Sequence, residues 1–193
     1  MTLLRNLPIS KRLWLIPLVA VAMLFILGLL MIQQVRTDLY KSKQVMTRNI
    51  VETANGILDY YQQREASGAL TTAEAQKAAM DQIRLLRYGQ NDYFWINDMT
   101  PVMLMHPMKP ELEGKNLSAV KDPNGKELFN EMVKVARAQG AGLVDYQWAK
   151  PGAEDPVPKI SYIELFKPWG WIIGSGIYVD DVEAEFQRYV VRF

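Results

Sequence analysis

Aromatic side chains that carry a polar group recur at a two-residue spacing in two segments of the sequence. Tyr93 and Trp95 form one pair, and Tyr146 and Trp148 form the other, so each pair lies on a single face of a β-strand. A core used for packing alone is more often built from Leu, Ile and Val, whereas buried Tyr and Trp need hydrogen-bond partners. His106 ends a further extended segment. These side chains predict a small polar pocket against one face of a sheet.

Two cationic residues lie where they would give this pocket a positive charge. Arg87 ends a predicted helix, and Lys159 opens a predicted strand. A buried cation is costly unless it is paired, and a carboxylate fits the guanidinium fork of an arginine. Together with the aromatic side chains, these residues predict a pocket for a small anion.

Each of these residues also has a purely structural interpretation, and the residues alone leave both interpretations open. Arg87 at a helix C-terminus would interact favourably with the helix dipole. Lys159 follows a polar loop and would be solvated there. His106, Tyr146 and Trp148 would equally serve as ordinary buried side chains.

Composition and motifs exclude several other classes of function. The chain has no Cys and one His, which excludes a disulfide framework, a thiol nucleophile and a multi-histidine metal site. A net charge of +1 argues against a nucleic-acid-binding protein, which usually has a basic patch. The common phosphate-loop, serine-hydrolase and zinc-protease motifs are missing from the sequence, and Asp180-Asp181 is interpreted as a helix cap. We therefore expect no enzymatic activity, no cofactor, no metal and no nucleic-acid partner.

The elements that must position the pocket begin with an apolar segment. Residues 13–32 contain no charged side chain, and a helix of this length reaches about 30 Å, the thickness of a bilayer core. The segment is longer than the apolar region of a signal peptide, and no small-residue cleavage site follows it. We predict a retained transmembrane helix over 13–32, with residues 1–12 as a cytoplasmic tail. Basic residues also follow the span, so charge alone gives this orientation little support.

Beyond the span, the pattern predicts helices first and strands later. Residues 33–67 show apolar residues at helical spacing and would continue the membrane helix outward. Thr71 and Glu74 form a predicted capping box for a second helix, and later helices are predicted to begin at Asp122-Pro123 and at Asp180. Five strands are predicted, over residues 93–96, 102–106, 143–149, 159–166 and 171–179. Strands joined by short turns are antiparallel, so the predicted fold class is α+β, with a mainly antiparallel sheet of about five strands.

Several motifs resemble the single Cache domain of bacterial chemoreceptors. The most specific is the run Trp169-Gly170-Trp171-x-x-Gly174-x-Gly176-Ile177-Tyr178-Val179-Asp180-Asp181. The others are Asp92-Tyr93-Phe94-Trp95-Ile96, His106-Pro107, Gly114-Lys115-Asn116, Asp122-Pro123-Asn124-Gly125-Lys126, Gly142-x-Val144-x-Tyr146-x-Trp148-x-Lys150-Pro151 and Lys159-x-x-Tyr162. The resemblance covers about residues 33–190. An anchor followed by a long helix also matches the layout of methyl-accepting chemotaxis proteins.

The resemblance implies a PAS-like sheet suspended on the long N-terminal helix. Residues 33–187 would be a periplasmic ligand-binding domain of a protein in the bacterial inner membrane, forming a homodimer and relaying binding through its terminal helices. The implied ligand is a small organic acid such as acetate, propionate, pyruvate or lactate. Cations would hold its carboxylate, tyrosines would donate hydrogen bonds, and rings would bound its tail. Carried over to this sequence, the ligand-binding residues are Arg87, Tyr93, Trp95, His106, Tyr146, Trp148, Lys159 and Tyr162.

Three points stay open beside this resemblance. Lys159 and Tyr162 have opposite strand parity, so both reach one pocket only if a bulge intervenes or one enters from the rim. Related receptors have a second membrane span, and residues 188–193 would begin the connection to it. The same domain also fits the sensor region of a histidine kinase or a cyclic-nucleotide receptor, or a dimerisation module without a ligand.

Overall fold

The computed structural model describes residues 8–89 and 91–190 of the chain. Its first element, α1 (Ile9–Ala66), is one uninterrupted helix of 58 residues, about 87 Å long at 1.5 Å per residue. The stretch Leu13–Ala66 contains an apolar window that is long and apolar enough to cross a membrane, and none of this window is buried against the protein. The segments predicted as a membrane helix and as a long helix after it therefore form a single rod.

A second helix, α2 (Thr72–Leu85), packs against α1. It begins with the predicted capping box: Thr71 Oγ1 accepts a hydrogen bond from the Glu74 amide at 3.3 Å, and the Glu74 carboxylate accepts one from the Thr71 amide at 2.8 Å. Its buried side chains are Ala75, Ala79 and Ile83, which recur at the spacing of one helix face.

The strands form one antiparallel sheet in the order β2-β1-β5-β4-β3. The predicted α+β class and the antiparallel sheet are confirmed. The strands are β1 (Phe94–Asp98), β2 (Met103–Met105), β3 (Ala141–Ala149), β4 (Pro156–Phe166) and β5 (Trp171–Tyr178).

Alternation along the strands divides the interior into two apolar clusters. On one face, α1 packs its Leu58 against Ile96 and Ile173 of the sheet. On the other face, α3 (Leu128–Gln139) buries Met132 among the aromatic residues of the sheet. The polar pocket predicted from the sequence lies on this second face.

The helix α3 begins later than predicted, at Leu128 rather than at Asp122-Pro123. The Asp122 carboxylate closes a turn instead of capping a helix. Its Oδ1 accepts the amide hydrogens of Asn124 and Lys126, both at 2.9 Å, and its Oδ2 accepts that of Gln147 at 3.1 Å. The turn is thereby fixed to β3, and the helix begins only at Leu128.

The last element, α4 (Val179–Val190), follows β5 directly. It lies beside α1, where Arg36 contacts Glu183 at 2.8 Å and Lys43 contacts Glu185 at 2.7 Å. Of the predicted end segments, residues 1–7 and 191–193 lie outside the described residues.

Candidate functional site

Lys159 is a buried cation in the middle of the sheet. Its side chain points to the α3 face and is 1% exposed. Its Nζ lies 3.3 Å from the hydroxyl oxygens of both Tyr93 and Tyr178. It also lies 4.4 Å and 4.6 Å from the ring centroids of the same tyrosines, and 5.6 Å from that of Trp95. The three rings form an aromatic cage around the ammonium group, an arrangement that attracts cations.

The charge of Lys159 acts on the carboxyl group of Asp92 without forming an ion pair with it: burial raises the pKa of Asp92, and the charge of Lys159 opposes this effect. Within the part of the chain that the structure describes, Lys159 forms no ion pair. Ring faces and neutral hydroxyl groups compensate only part of the cost of removing an ammonium from water. An anion bound beside Lys159 would supply the missing charge.

Strand register explains why these groups meet. Tyr146 on β3, Lys159 on β4 and Tyr178 on β5 are paired across the sheet, so their side chains project from the same face as direct neighbours. The Tyr178 hydroxyl donates to the Ala149 carbonyl at 3.0 Å. Burial raises the pKa of Tyr146 and of Tyr178, so both phenols keep their protons at physiological pH.

Two glycines of β5 leave space for the polar side chains of this face. A Cβ at Gly174 would lie 2.4 Å from the indole of Trp95, and a Cβ at Gly176 would lie 2.1 Å from Ser161 Oγ. Ser161 in turn shares a hydrogen bond of 2.9 Å with the Tyr146 hydroxyl. The glycines therefore act here by permitting close approach.

His106 lies next to this group as a neutral imidazole. Its ring centroid is 5.0 Å from that of Tyr93, and the Lys109 amide donates to its Nδ1 at 3.0 Å. Burial, with the charges of Lys159 and Lys109, lowers the pKa of His106 to about 3. Because Nδ1 is an acceptor, the ring proton lies on Nε2, which makes His106 a hydrogen-bond donor through that atom.

These side chains enclose a small cavity. Its volume is about 10 Å³, which is about one water-sized probe sphere and far below the range of drug-sized ligand pockets. Trp148 is half-buried at its edge, and Lys109 Nζ lies 4.7 Å above the Trp148 ring. The residues lining the cavity are Tyr93, Trp95, His106, Leu128, Phe129, Tyr146 and Trp148.

Six of the eight predicted site residues come together, and two do not. Arg87 is exposed and donates to the carbonyls of Arg84 and Leu86 at 2.8 Å and 2.6 Å, as its helix-end interpretation implies. Tyr162 packs with the α1 cluster on the opposite face of the sheet, because no bulge reverses its parity relative to Lys159. The structure therefore does not bring Arg87 and Tyr162 together with the other six residues.

Two polar residues of the site were missing from the prediction, Tyr178 and Ser161. Alternation from Lys159 places Ser161 on the same face, and alternation from Gly174 and Gly176 does the same for Tyr178. That signal was present in the sequence. The contributions of Leu128 and Phe129 from α3 had no comparable signal, because they depend on how the helix docks.

Comparison with protein families identifies one match. The family model for single Cache domain 2 matches residues 39–191, which include every strand and the cavity.

Two relatives have described functions. The methyl-accepting chemotaxis protein McpP of Pseudomonas putida is 59% identical over 188 residues, covering 97% of this chain and 35% of McpP. The sensor histidine kinase MctS of Rhizobium johnstonii is 29% identical, covering 77% of this chain and 31% of MctS. The chain thus spans about a third of the length of these relatives.

Solved structures agree with the fold. A Cache chemosensory domain, described in terms of carboxylic acid recognition, is 56% identical with a TM-score of 0.72, covering 74% of this chain and 97% of that one. A methyl-accepting chemotaxis protein from Vibrio parahaemolyticus is 26% identical with a TM-score of 0.69, covering 78% of this chain and 98% of that one.

Proposed function

We propose that this chain, which belongs to the single Cache domain 2 family, is the sensing region of a membrane receptor and binds a small monocarboxylate in the cavity beside Lys159. The observation that carries the proposal is the ammonium of Lys159, 1% exposed and without an ion pair among the described residues. The similar Cache domain described in terms of carboxylic acid recognition supports the same ligand class.

Charge matching favours one carboxylate over two. Lys159 is the buried cation beside the cavity, Lys109 lies at the cavity edge, and His106 is neutral because burial lowers its pKa. A monocarboxylate would balance the single charge of Lys159. The second carboxylate of a dianion would meet a cation only if it reached Lys109 at the cavity edge, and elsewhere it would lie against aromatic rings without a partner, which is costly. Acetate, propionate, pyruvate and lactate all meet this requirement.

The same residues suggest how such a ligand is held. Its carboxylate would accept hydrogen bonds from Lys159 Nζ, from the hydroxyls of Tyr93 and Tyr146 and from His106 Nε2. Hydrogen bonds in which one partner is charged are stronger than those between two neutral groups. The short tail of the ligand would pack against Leu128 and Phe129. These walls would have to move apart to admit it, because the cavity volume is only about 10 Å³.

The proposed setting is the bacterial inner membrane with the sensing domain in the periplasm. The apolar part of α1 would span the bilayer, and its remaining part would carry the sheet. Binding would be relayed through α4, which follows Tyr178 and forms ion pairs with α1 through Glu183 and Glu185. We also propose that the receptor works as a homodimer. The relatives McpP and MctS differ in their output, so chemotaxis and histidine phosphorylation are the two candidate responses.

A binding experiment on the full chain in lipid nanodiscs tests the proposal. Propionate at 100 times its dissociation constant should stabilise the domain by about 2.7 kcal/mol, seen as a rise in Tm. Propionamide, which has nearly the same shape but no charge, and succinate, a dianion, should give no rise. Absence of binding by any short monocarboxylate, or equal binding of propionamide, would overturn the proposal.

A further inference from the structure

Two buried polar atoms on the α1 face of the sheet lack a hydrogen-bond partner among the described residues. They are Oδ1 of Asn55 on α1 and Oε2 of Glu164 on β4. The other ends of the same two side chains are joined, since Asn55 Nδ2 donates to Glu164 Oε1 at 2.9 Å. The pair thus makes one hydrogen bond and lacks a second.

An ionised Glu164 is unable to supply the second bond. A carboxylate oxygen and an amide oxygen are both acceptors, so neither unpartnered atom donates to the other. Turning the amide over would set its oxygen against the carboxylate and would lose the existing bond. An unsatisfied buried acceptor costs about 1–3 kcal/mol, and more when it is charged.

A proton on Glu164 Oε2 satisfies both atoms at once. The carboxyl group then donates to Asn55 Oδ1 while Asn55 Nδ2 continues to donate to Glu164 Oε1. We propose that Glu164 takes up a proton in mildly acidic solution and closes this ring of two hydrogen bonds with Asn55, which makes the attachment of α1 to the sheet dependent on pH.

The groups around Glu164 agree with this assignment. Burial is the largest effect and raises its pKa, and the charges of Glu52 and Asp59 on α1 act in the same direction. The bond from Asn55 and the charge of Arg48 oppose them. The cross-strand neighbours on β3 and β5 are Ala141 and Ile173, which do not titrate. Tyr162 lies two positions away on the same face of β4.

The position of the pair connects the protonation of Glu164 to two other parts of the molecule. Glu164 lies on the strand that presents Lys159 on its opposite face, and Asn55 lies on the helix whose other end is the apolar segment. A group with a raised folded-state pKa contributes stability that is present at low pH and is lost as the pH rises through that pKa. Contact between α1 and the sheet should therefore loosen as the pH rises, with or without a carboxylate in the cavity.

The variant Glu164→Gln tests the inference in the full chain in nanodiscs without added ligand. A glutamine amide donates to Asn55 Oδ1 and accepts from Asn55 Nδ2 at every pH, so it reproduces the protonated pair. We expect a Tm several degrees above that of the native protein at pH 7.5 and a difference that shrinks as the pH falls toward 4.5. Glu154→Gln, in the exposed β3–β4 loop, is the matched control and should leave the Tm profile unchanged.

A direct titration keeps the inference testable if the variant folds poorly. The carboxyl ¹³C signal of Glu164 in the native chain should titrate above the ordinary glutamate value of about 4.3, because burial raises its pKa. A midpoint at or below that value, or a Tm difference between native protein and Glu164→Gln that does not depend on pH, would overturn the inference. Neither measurement involves propionate, so failure here leaves the proposed ligand site unaffected.

Discussion

Lys159 and Tyr178 occupy paired positions on neighbouring strands, with the ammonium nitrogen 3.3 Å from the phenol oxygen. Tyr178 also donates to the Ala149 carbonyl, and α4 begins at the next residue. A ligand that draws Lys159 toward itself would change the hydrogen bonding of the residue that precedes α4. The proposed relay toward the membrane therefore starts at Tyr178.

Replacing Lys159 by Met should weaken carboxylate binding without unfolding the protein. Hydrogen bonds to a charged group contribute about 1.5–3 kcal/mol, so the affinity for propionate should fall by roughly 10- to 150-fold. Met has similar length and no charge, and replacing buried charge by packed apolar atoms is often neutral or stabilising. Titration calorimetry and a melting curve measure the two effects.

The control for this substitution is Lys134→Met, which removes an exposed charge on α3. The affinity of this variant for propionate should stay within about twofold of the native value, because surface ion pairs contribute little to stability. A Lys159→Met protein that binds propionate as well as the native chain would contradict the proposed site.

Adding one methyl group at Gly176 should destabilise the domain. The new Cβ would lie 2.1 Å from Ser161 Oγ and 2.7 Å from the Ile160 carbonyl oxygen, so the strands must move apart. Overpacking of this kind costs about 1–3 kcal/mol, measured by urea unfolding.

Gly56→Ala provides the opposite case, because a Cβ there meets nothing within 4 Å in the middle of α1. It should stabilise the helix by about 0.5–1 kcal/mol. If Gly176→Ala leaves the free energy of unfolding unchanged or raises it, the close approach of β4 and β5 at Gly176 is wrong.

His106 should make the domain less stable in acid. The ordinary histidine pKa is about 6.5, and burial lowers the pKa of His106 to about 3. Between these values the unfolded chain binds a proton that the folded chain does not. The contribution of His106 to stability is therefore complete above about pH 6.5 and falls as the pH decreases, by up to about 1.4 kcal/mol per pH unit.

The variant His106→Gln isolates this contribution, because the other titrating groups remain. The native protein should lose more free energy of unfolding than the variant between pH 7 and pH 5. Identical losses would show that His106 has an ordinary pKa. The ¹⁵N spectrum at pH 6 gives a second check, since the proton should lie on Nε2 alone.

Strand parity decides how much of this site was predictable from the sequence. The two-residue alternation of side chains along a strand places Tyr93 with Trp95 and Tyr146 with Trp148. The structure brings both pairs to one face of the sheet. The same count separates Tyr162 from Lys159, so family resemblance was the weaker guide at that position.

Properties that depend on docking between distant elements were not predictable. Asp122 looked like a helix cap, and only its contact with Gln147 on β3 fixes it in a turn. Alternation along the predicted strand 102–106 would place His106 on the same face as Leu104, which instead packs with the α1 cluster. A register shift between β1 and β2 and the end of β2 at Met105 interrupt the alternation there.

Arg87→Ala should leave ligand binding unchanged. Sequence and family resemblance both placed Arg87 in the pocket, whereas its guanidinium donates to backbone carbonyls at the end of α2 and is exposed. Removing it should cost at most about 1 kcal/mol of stability, the value of a helix-end cation, and the dissociation constant for propionate should stay within about twofold. A tenfold weaker affinity would mean that Arg87 reaches the ligand, and the charge balance that favours a monocarboxylate would then have to include a second cation.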